Sequence, residues 1–116
     1  MILPLIFWFL TATIDRGAGL TRIDPSHTCM GSNQAKKSPQ SFAEVEGKRY
    51  YGCSKMCIVS LKESPKFRYS IDPVSGKKVD KAKALVAAKP GGGLIYFESE
   101  ETFLIFQSQD VNFDTI

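Results

Sequence analysis

Histidine is nearly absent from this 116-residue sequence, and His27 stands alone. A metal site built from several imidazoles is therefore excluded. A catalytic triad would have to draw every imidazole role from that one residue, which argues against His-based hydrolysis. No apolar run approaches the roughly 20 residues a helix needs to span a bilayer. The only run of consecutive glycines, Gly91-Gly92-Gly93, has no Lys-Ser or Lys-Thr after it. It lacks the parts of a phosphate-binding loop and reads as a turn. Asp24, Asp72 and Asp80 form no evident acid–base pair. Basic residues are missing from the end of the chain: all 15 precede Gly91, whereas Glu98, Glu100, Glu101, Asp110 and Asp114 follow it. The acidic end is expected to lie beside the basic body. The lysines are scattered rather than clustered, so nucleic acid is not an expected partner.

What is present fits a folded protein of about one domain. The chain is 43% hydrophobic and 23% charged, with net charge +3, which excludes disordered, collagen-like and coiled-coil classes. A chain this short buries only about two-thirds of its unfolded surface. A metal or a disulfide would be a useful staple. At the start, Ile2 to Leu10 reads ILPLIFWFL without a polar side chain. It is too short to span a membrane and matches the apolar region of a secretory signal, with small residues following at Thr11-Ala12-Thr13 and Gly17-Ala18-Gly19. Residues 1–27 are expected to be a signal peptide and N-terminal extension, which implies an exported or periplasmic protein. The alternative is an apolar element tucked into the core of a cytoplasmic one.

Beyond that segment the chain repeats itself at a shift of 45 residues. Gly47 falls on Gly92, Tyr51 on Tyr96, Cys53 on Glu98, Ser54 on Ser99 and Cys57 on Thr102. Ile58-Val59 and Leu61 fall on Phe103-Leu104 and Phe106. Cys29 falls near Ser75, off by one. In the first unit, Ala43–Glu46 and Arg49–Gly52 flank Gly47 as a hairpin. A helix is predicted over Ser54–Glu63, capped by Ser54 and stopped by Pro65. In the second, Lys78–Val86 is extended or mixed, Pro90–Gly93 turns the chain and Leu94–Phe97 is a strand. A helix follows from Ser99 to about Ser108, with Ser99 as N-cap and Glu100 and Glu101 in its first turn. Residues 109–116 form a tail.

The three cysteines carry the sharpest chemical signal. Cys53 and Cys57 are four apart at a strand-to-helix junction, so both thiols share one face. A thiolate is favoured at a helix N-terminus. Two thiolates from one turn, joined by a third from a distant loop, suit a soft ion such as zinc or copper(I). Cys29 is the third candidate. A fourth position would be empty, filled by water or taken by His27. Three other readings compete. Two cysteines can form a disulfide and leave the third free. All three can be buried as small hydrophobes. Cys53 and Cys57 can act as a thiol redox pair, although C-x-x-x-C is not the usual C-x-x-C. Met30 and Met56 adjoin the thiols and are expected to fill gaps rather than ligate. Lys48, Arg49 and Lys55 lie near them in sequence and can favour thiolates, or simply be solvated. The aromatics at Tyr50, Tyr51, Tyr69, Tyr96 and Phe97 read as core.

Cys29-Met30 followed by Tyr50-Tyr51-Gly52-Cys53-Ser54-Lys55-Met56-Cys57 resembles the TRASH/YHS family of small heavy-metal-binding domains. Residues 69–108 resemble a YHS unit without its thiols. Ile71-Asp72-Pro73-Val74-Ser75-Gly76-Lys77 stands for the front motif, with Ser75 in the cysteine's place. Tyr96-Phe97-Glu98-Ser99-Glu100-Glu101-Thr102 stands for the later one, with Glu98 and Thr102 replacing the cysteines. The resemblance covers about residues 28–108. It implies an α+β fold of two tandem treble-clef-like units, each a β-hairpin plus a short helix: a metal-binding unit at 28–68 and a degenerate one at 69–108. The second unit would be a structural partner, its Tyr96, Phe97, Phe103 and Phe106 core burying the first unit's apolar face.

The expected function is non-enzymatic binding of zinc or copper(I) by Cys29, Cys53 and Cys57, in heavy-metal trafficking, sensing or resistance. Besides the ion, the expected partner is a metal transporter or another metal-handling protein. The alternatives are an interaction module with a purely structural zinc, and the redox protein.

Overall fold

The computed structural model describes residues 19–109. The apolar Ile2–Leu10 run therefore lies outside the described residues, as does the tail from position 110. Among the described residues, no helix is long and apolar enough to cross a membrane.

The first unit is built around a hairpin. Strand β4 (Ser41–Val45) pairs antiparallel with β5 (Lys48–Gly52), Ala43 opposite Tyr50. The two connecting residues, Glu46 and Gly47, both have positive φ, at 52° and 78°. That is the backbone twist a two-residue hairpin turn requires. Helix α1 (Lys55–Glu63) follows, with Ser54 as its N-cap, and packs on the hairpin. Pro65 opens a single 3-10 turn, Pro65–Phe67, that ends it. Before the hairpin come two short strands, β2 (Thr28–Cys29) and β3 (Gln34–Ala35), paired so that Cys29 faces Gln34. The core of this unit is Met30, Ala43, Tyr50 and Leu61, with Ile58, Tyr51 and Phe67 around it. Full burial of such side chains contributes about 1.5–3 kcal/mol each.

The second unit repeats the plan. Strand β8 (Leu85–Ala88) pairs antiparallel with β9 (Leu94–Phe97), and helix α2 (Glu100–Gln107) follows, capped by Ser99. A separate hairpin of β6 (Tyr69–Ile71) and β7 (Lys78–Asp80) precedes it. The predicted extended stretch over 78–86 is thus two strands, split by a turn at residues 81–84. The segment expected to be an extension joins the fold. Strand β1 (Thr21–Arg22) adds to β8, and Leu20 is buried among Ala87, Ile95, Phe97, Phe103 and Phe106. Phe97 meets Phe103 and Phe106 edge-on, each at 5.4 Å between ring centres, a favoured aromatic geometry.

Small α+β architecture with two hairpin-plus-helix units is therefore what the chain adopts. The contact between units differs from the expectation. The aromatic core of the second unit does not cover the first: Phe97 packs on Phe103 and Phe106 of α2, with Leu20, Ala87 and Ile95, whereas Tyr96, on the opposite face of β9, packs with Val79 and Val86. Strand alternation forces that split, because residues 96 and 97 must point to opposite faces. Across the junction Ala82 packs on the first unit's core, and polar contacts join the units as well. Lys48 Nζ and Tyr50 Oη both donate to the Asp80 carboxylate. Ala35 N–H donates to Gly92 O at 2.8 Å, and Leu94 N–H to Asn33 O at 3.1 Å.

Candidate metal centre

Cys29 reaches the other thiols through the backbone. Met30 N–H donates to Tyr51 O at 2.7 Å, which lays β2 along β5 and carries Cys29 to the β5–α1 junction. There the Cys53 N–H donates to Cys29 Sγ at 3.1 Å. Ser54 Oγ accepts from Cys57 N–H at 3.2 Å, placing Cys57 in the first turn of α1. The three sulfur atoms lie within 4.8 Å of one another. A metal–thiolate bond of about 2.3 Å sets sulfurs about 3.8–4.0 Å apart around one ion. Closing this cluster onto an ion therefore needs movements of about 1 Å or less. An all-sulfur donor set of this kind would favour soft ions.

Access is graded. Cys29 is buried, Cys57 is half-buried and Cys53 is exposed, so the cluster opens to solvent beside Cys53. Gly31 packs closely against Cys57. A Cβ on Gly31 would lie 2.8 Å from Cys57 Cβ and 3.0 Å from its Sγ, a spacing only glycine allows. Gly52 is similarly close, 3.2 Å from Cys57 Cβ.

Cys29 and Cys53 do not titrate alike. Burial pushes the Cys29 thiol up, but hydrogen bonds from Ser32 and Cys53 outweigh it and hold Cys29 down at about 6. Cys53 is pushed up by its hydrogen bond with Cys29, by desolvation and by the negative charges of Cys29 and Cys57. One thiolate already present thus resists the next, a repulsion that a bound cation would relieve.

Other expectations resolve individually. His27 is not in the cluster; its Nδ1 lies 3.4 Å from Ser26 Oγ. Met30 is fully buried in the first unit's core, a packing role. Met56, at 77% exposed, packs against little. Lys48 is engaged with Asp80, and Arg49 lies 4.3 Å over the Phe42 ring. Lys55 opens α1 between Cys53 and Cys57, and a second lysine reaches the loop after Cys29 from the second unit. Lys81 is buried and donates to Met30 O at 2.8 Å and to Asn33 Oδ1 at 2.9 Å. Neither Lys81 nor Gly31 carries any sequence signal of its own beyond, for glycine, adjacency to Cys29-Met30.

In the second unit, Ser75 does not occupy the place of Cys29. Its Oγ accepts locally from Lys77 N–H. The buried acceptor is Asp72. Its Oδ2 takes hydrogen bonds from Glu98 N–H at 2.8 Å and Thr102 Oγ1 at 2.7 Å, and its Oδ1 from Val74 N–H and Ser75 N–H. Glu98 and Thr102 are the counterparts of Cys53 and Cys57, so Asp72 does for unit two what Cys29 does for unit one. Burial raises the Asp72 carboxyl, yet these donors bring it below the ordinary value. A carboxylate with both oxygens satisfied this way closes the unit without an ion.

No family model, curated protein or solved structure matches the chain. Fold and site together define a small α+β module whose first unit clusters three cysteines in an arrangement compatible with a metal ion.

Proposed function

We propose that this protein binds one soft transition-metal ion, zinc or copper(I), through Cys29, Cys53 and Cys57, and that it is a TRASH/YHS-type module. The observation that carries the reading is the convergence of three sulfur atoms within 4.8 Å from two separate elements. The exposure of Cys53 supports a transferable ion rather than a sealed structural one, because an incoming thiolate can reach the metal and displace ligands one at a time. A metal-handling protein or transporter is the fitting recipient. The apolar Ile2–Leu10 run supports export, which cell fractionation would test.

The test is metal content by mass spectrometry on protein purified without oxygen, with a count of reactive thiols. About one zinc or copper per chain with three protected thiols is the expected result, and Cys57→Ser should abolish stoichiometric binding. Metal-free protein with one disulfide and one free thiol would overturn the reading in favour of a redox protein using Cys53 and Cys57 or a structural one.

A further inference from the structure

Lys81 is an anomaly on energetic grounds. Its side chain is 3% exposed, and among the described residues no carboxylate pairs with it. Its ammonium contacts are a carbonyl, an amide oxygen and the Tyr96 ring, whose centre lies 5.1 Å away. A buried cation without a counter-charge is costly and is rarely retained unless something negative faces it. Asp80 is adjacent in sequence but is taken by Lys48 and Tyr50. The negative group within reach is the cysteine cluster: the Met30 carbonyl that Lys81 holds belongs to the residue next to Cys29, and burial pulls the Lys81 ammonium down to about 8 while the charge of Cys29 opposes that fall. Lys81 also grips the loop that carries this thiol, through Met30 O and Asn33 Oδ1, while Tyr96 Oη donates to the same Asn33 oxygen at 2.9 Å. Asn33 is in the left-handed region, at φ 57°, where the bonds from Lys81 and Tyr96 pin it.

We propose that Lys81 is the built-in counter-charge of the three-cysteine cluster, supplied by the second unit to offset the negative charge of the metal–thiolate complex, and that it biases the site toward ions of low charge. This rests on the metal-binding reading above. Three thiolates around a monovalent ion carry net charge −2, and around a divalent ion −1. A nearby fixed cation therefore stabilises the monovalent complex more. Lys81 is a positioning residue, since it acts on the ligands and touches no ion.

The experiment compares Ag(I) with Cd(II), both soft, in chelator-competition titrations of the full chain. The number of thiols protected in each complex is counted in parallel, so that the compared complexes are ones in which both ions displace all three thiol protons and the ratio of affinities is free of thiol titration. Lys81→Met removes the charge and keeps the bulk. It should weaken Ag(I) at least about tenfold more than Cd(II), the effect of one unit charge at about 12 Å or closer at an effective dielectric of about 20. Tyr96→Phe removes the neighbouring grip on Asn33 without touching charge and should leave the ratio within about twofold of wild type. Equal losses for both ions in Lys81→Met would show a merely structural role and overturn the proposal. Should Lys81→Met fail to fold, Lys81→Arg carries the test: charge is kept and packing altered, so the ratio should stay near wild type even if both affinities fall. A tenfold change of ratio with the charge intact would equally overturn it. Absence of binding of either ion by wild-type protein would instead sink the metal reading itself.

Discussion

Replacing Gly31 with alanine is the sharpest test of how the cluster is assembled. The added Cβ would sit 2.8 Å from Cys57 Cβ, 3.0 Å from its Sγ and 3.3 Å from its Cα. Of these atoms only Sγ ends a side chain and could swing away; Cβ, the nearest, and Cα move only with the backbone. They belong to the first turn of α1, held by the Ser54 cap and by Ile58 N–H to Ser54 O. Relief therefore requires the Met30–Asn33 loop and α1 to part by about 0.6 Å, the shortfall between 2.8 Å and the 3.4 Å at which ordinary contact begins. Overpacking of this kind costs about 2 kcal/mol, roughly a 10 °C fall in Tm for a chain of this size. The displacement also exceeds the tolerance of about 0.2 Å on metal–ligand distances. Cys29 is two residues from the substitution, so metal affinity should fall at least about tenfold. Thermal unfolding and chelator competition measure the two effects, with Gly91→Ala as the control, since a Cβ there meets nothing within 4 Å. Wild-type stability and affinity in Gly31→Ala would refute the close packing of this loop against Cys57, and with it the geometry that brings Cys29 to the other thiols.

The second unit makes an independent prediction about acid. The Asp72 carboxyl lies below its ordinary value of 3.8 in the fold, with burial opposing and its four hydrogen-bond donors prevailing. Its stabilising contribution is therefore complete above about pH 4 and is lost as pH falls through the folded value. Asp72→Asn should cost about 3 kcal/mol near neutrality, because an amide N–H must face donors in a dry site. It should also flatten the pH dependence of denaturant unfolding below pH 4, leaving the shares due to Asp80, which is lowered as well despite burial, by Lys48 and Tyr50, and to Asp24, lowered by its hydrogen bonds from Ser26; an unchanged acid limb would contradict this. The two N-caps separate fold from site. Ser54→Ala and Ser99→Ala should each lose about 1 kcal/mol, but only Ser54→Ala, which frees the Cys57 N–H, should weaken metal binding, by a few-fold in the same competition assay.

Local signals in the sequence were sufficient for what neighbouring residues decide among themselves. Gly47 marks the hairpin, Ser54 and Ser99 mark the helix starts, and Pro65 marks a stop, because turns and caps are satisfied by atoms only a few residues away. The 45-residue self-similarity, with one hairpin-plus-helix plan in each unit, was legible for the same reason. Placing Cys53 and Cys57 on one face needed only helical spacing. The tertiary structure decided the rest. Cys29 joins them through a bond from Met30 N–H to Tyr51 O, which no local pattern encodes. Asp72 rather than Ser75 takes the buried position in the second unit because a carboxylate can accept from four donors at once, and which donors converge there depends on how β9 and α2 pack. Lys81 is one of 15 basic residues in the sequence. Only the fold buries its ammonium behind the thiol loop, since burial depends on every element that surrounds a residue and not on its neighbours along the chain.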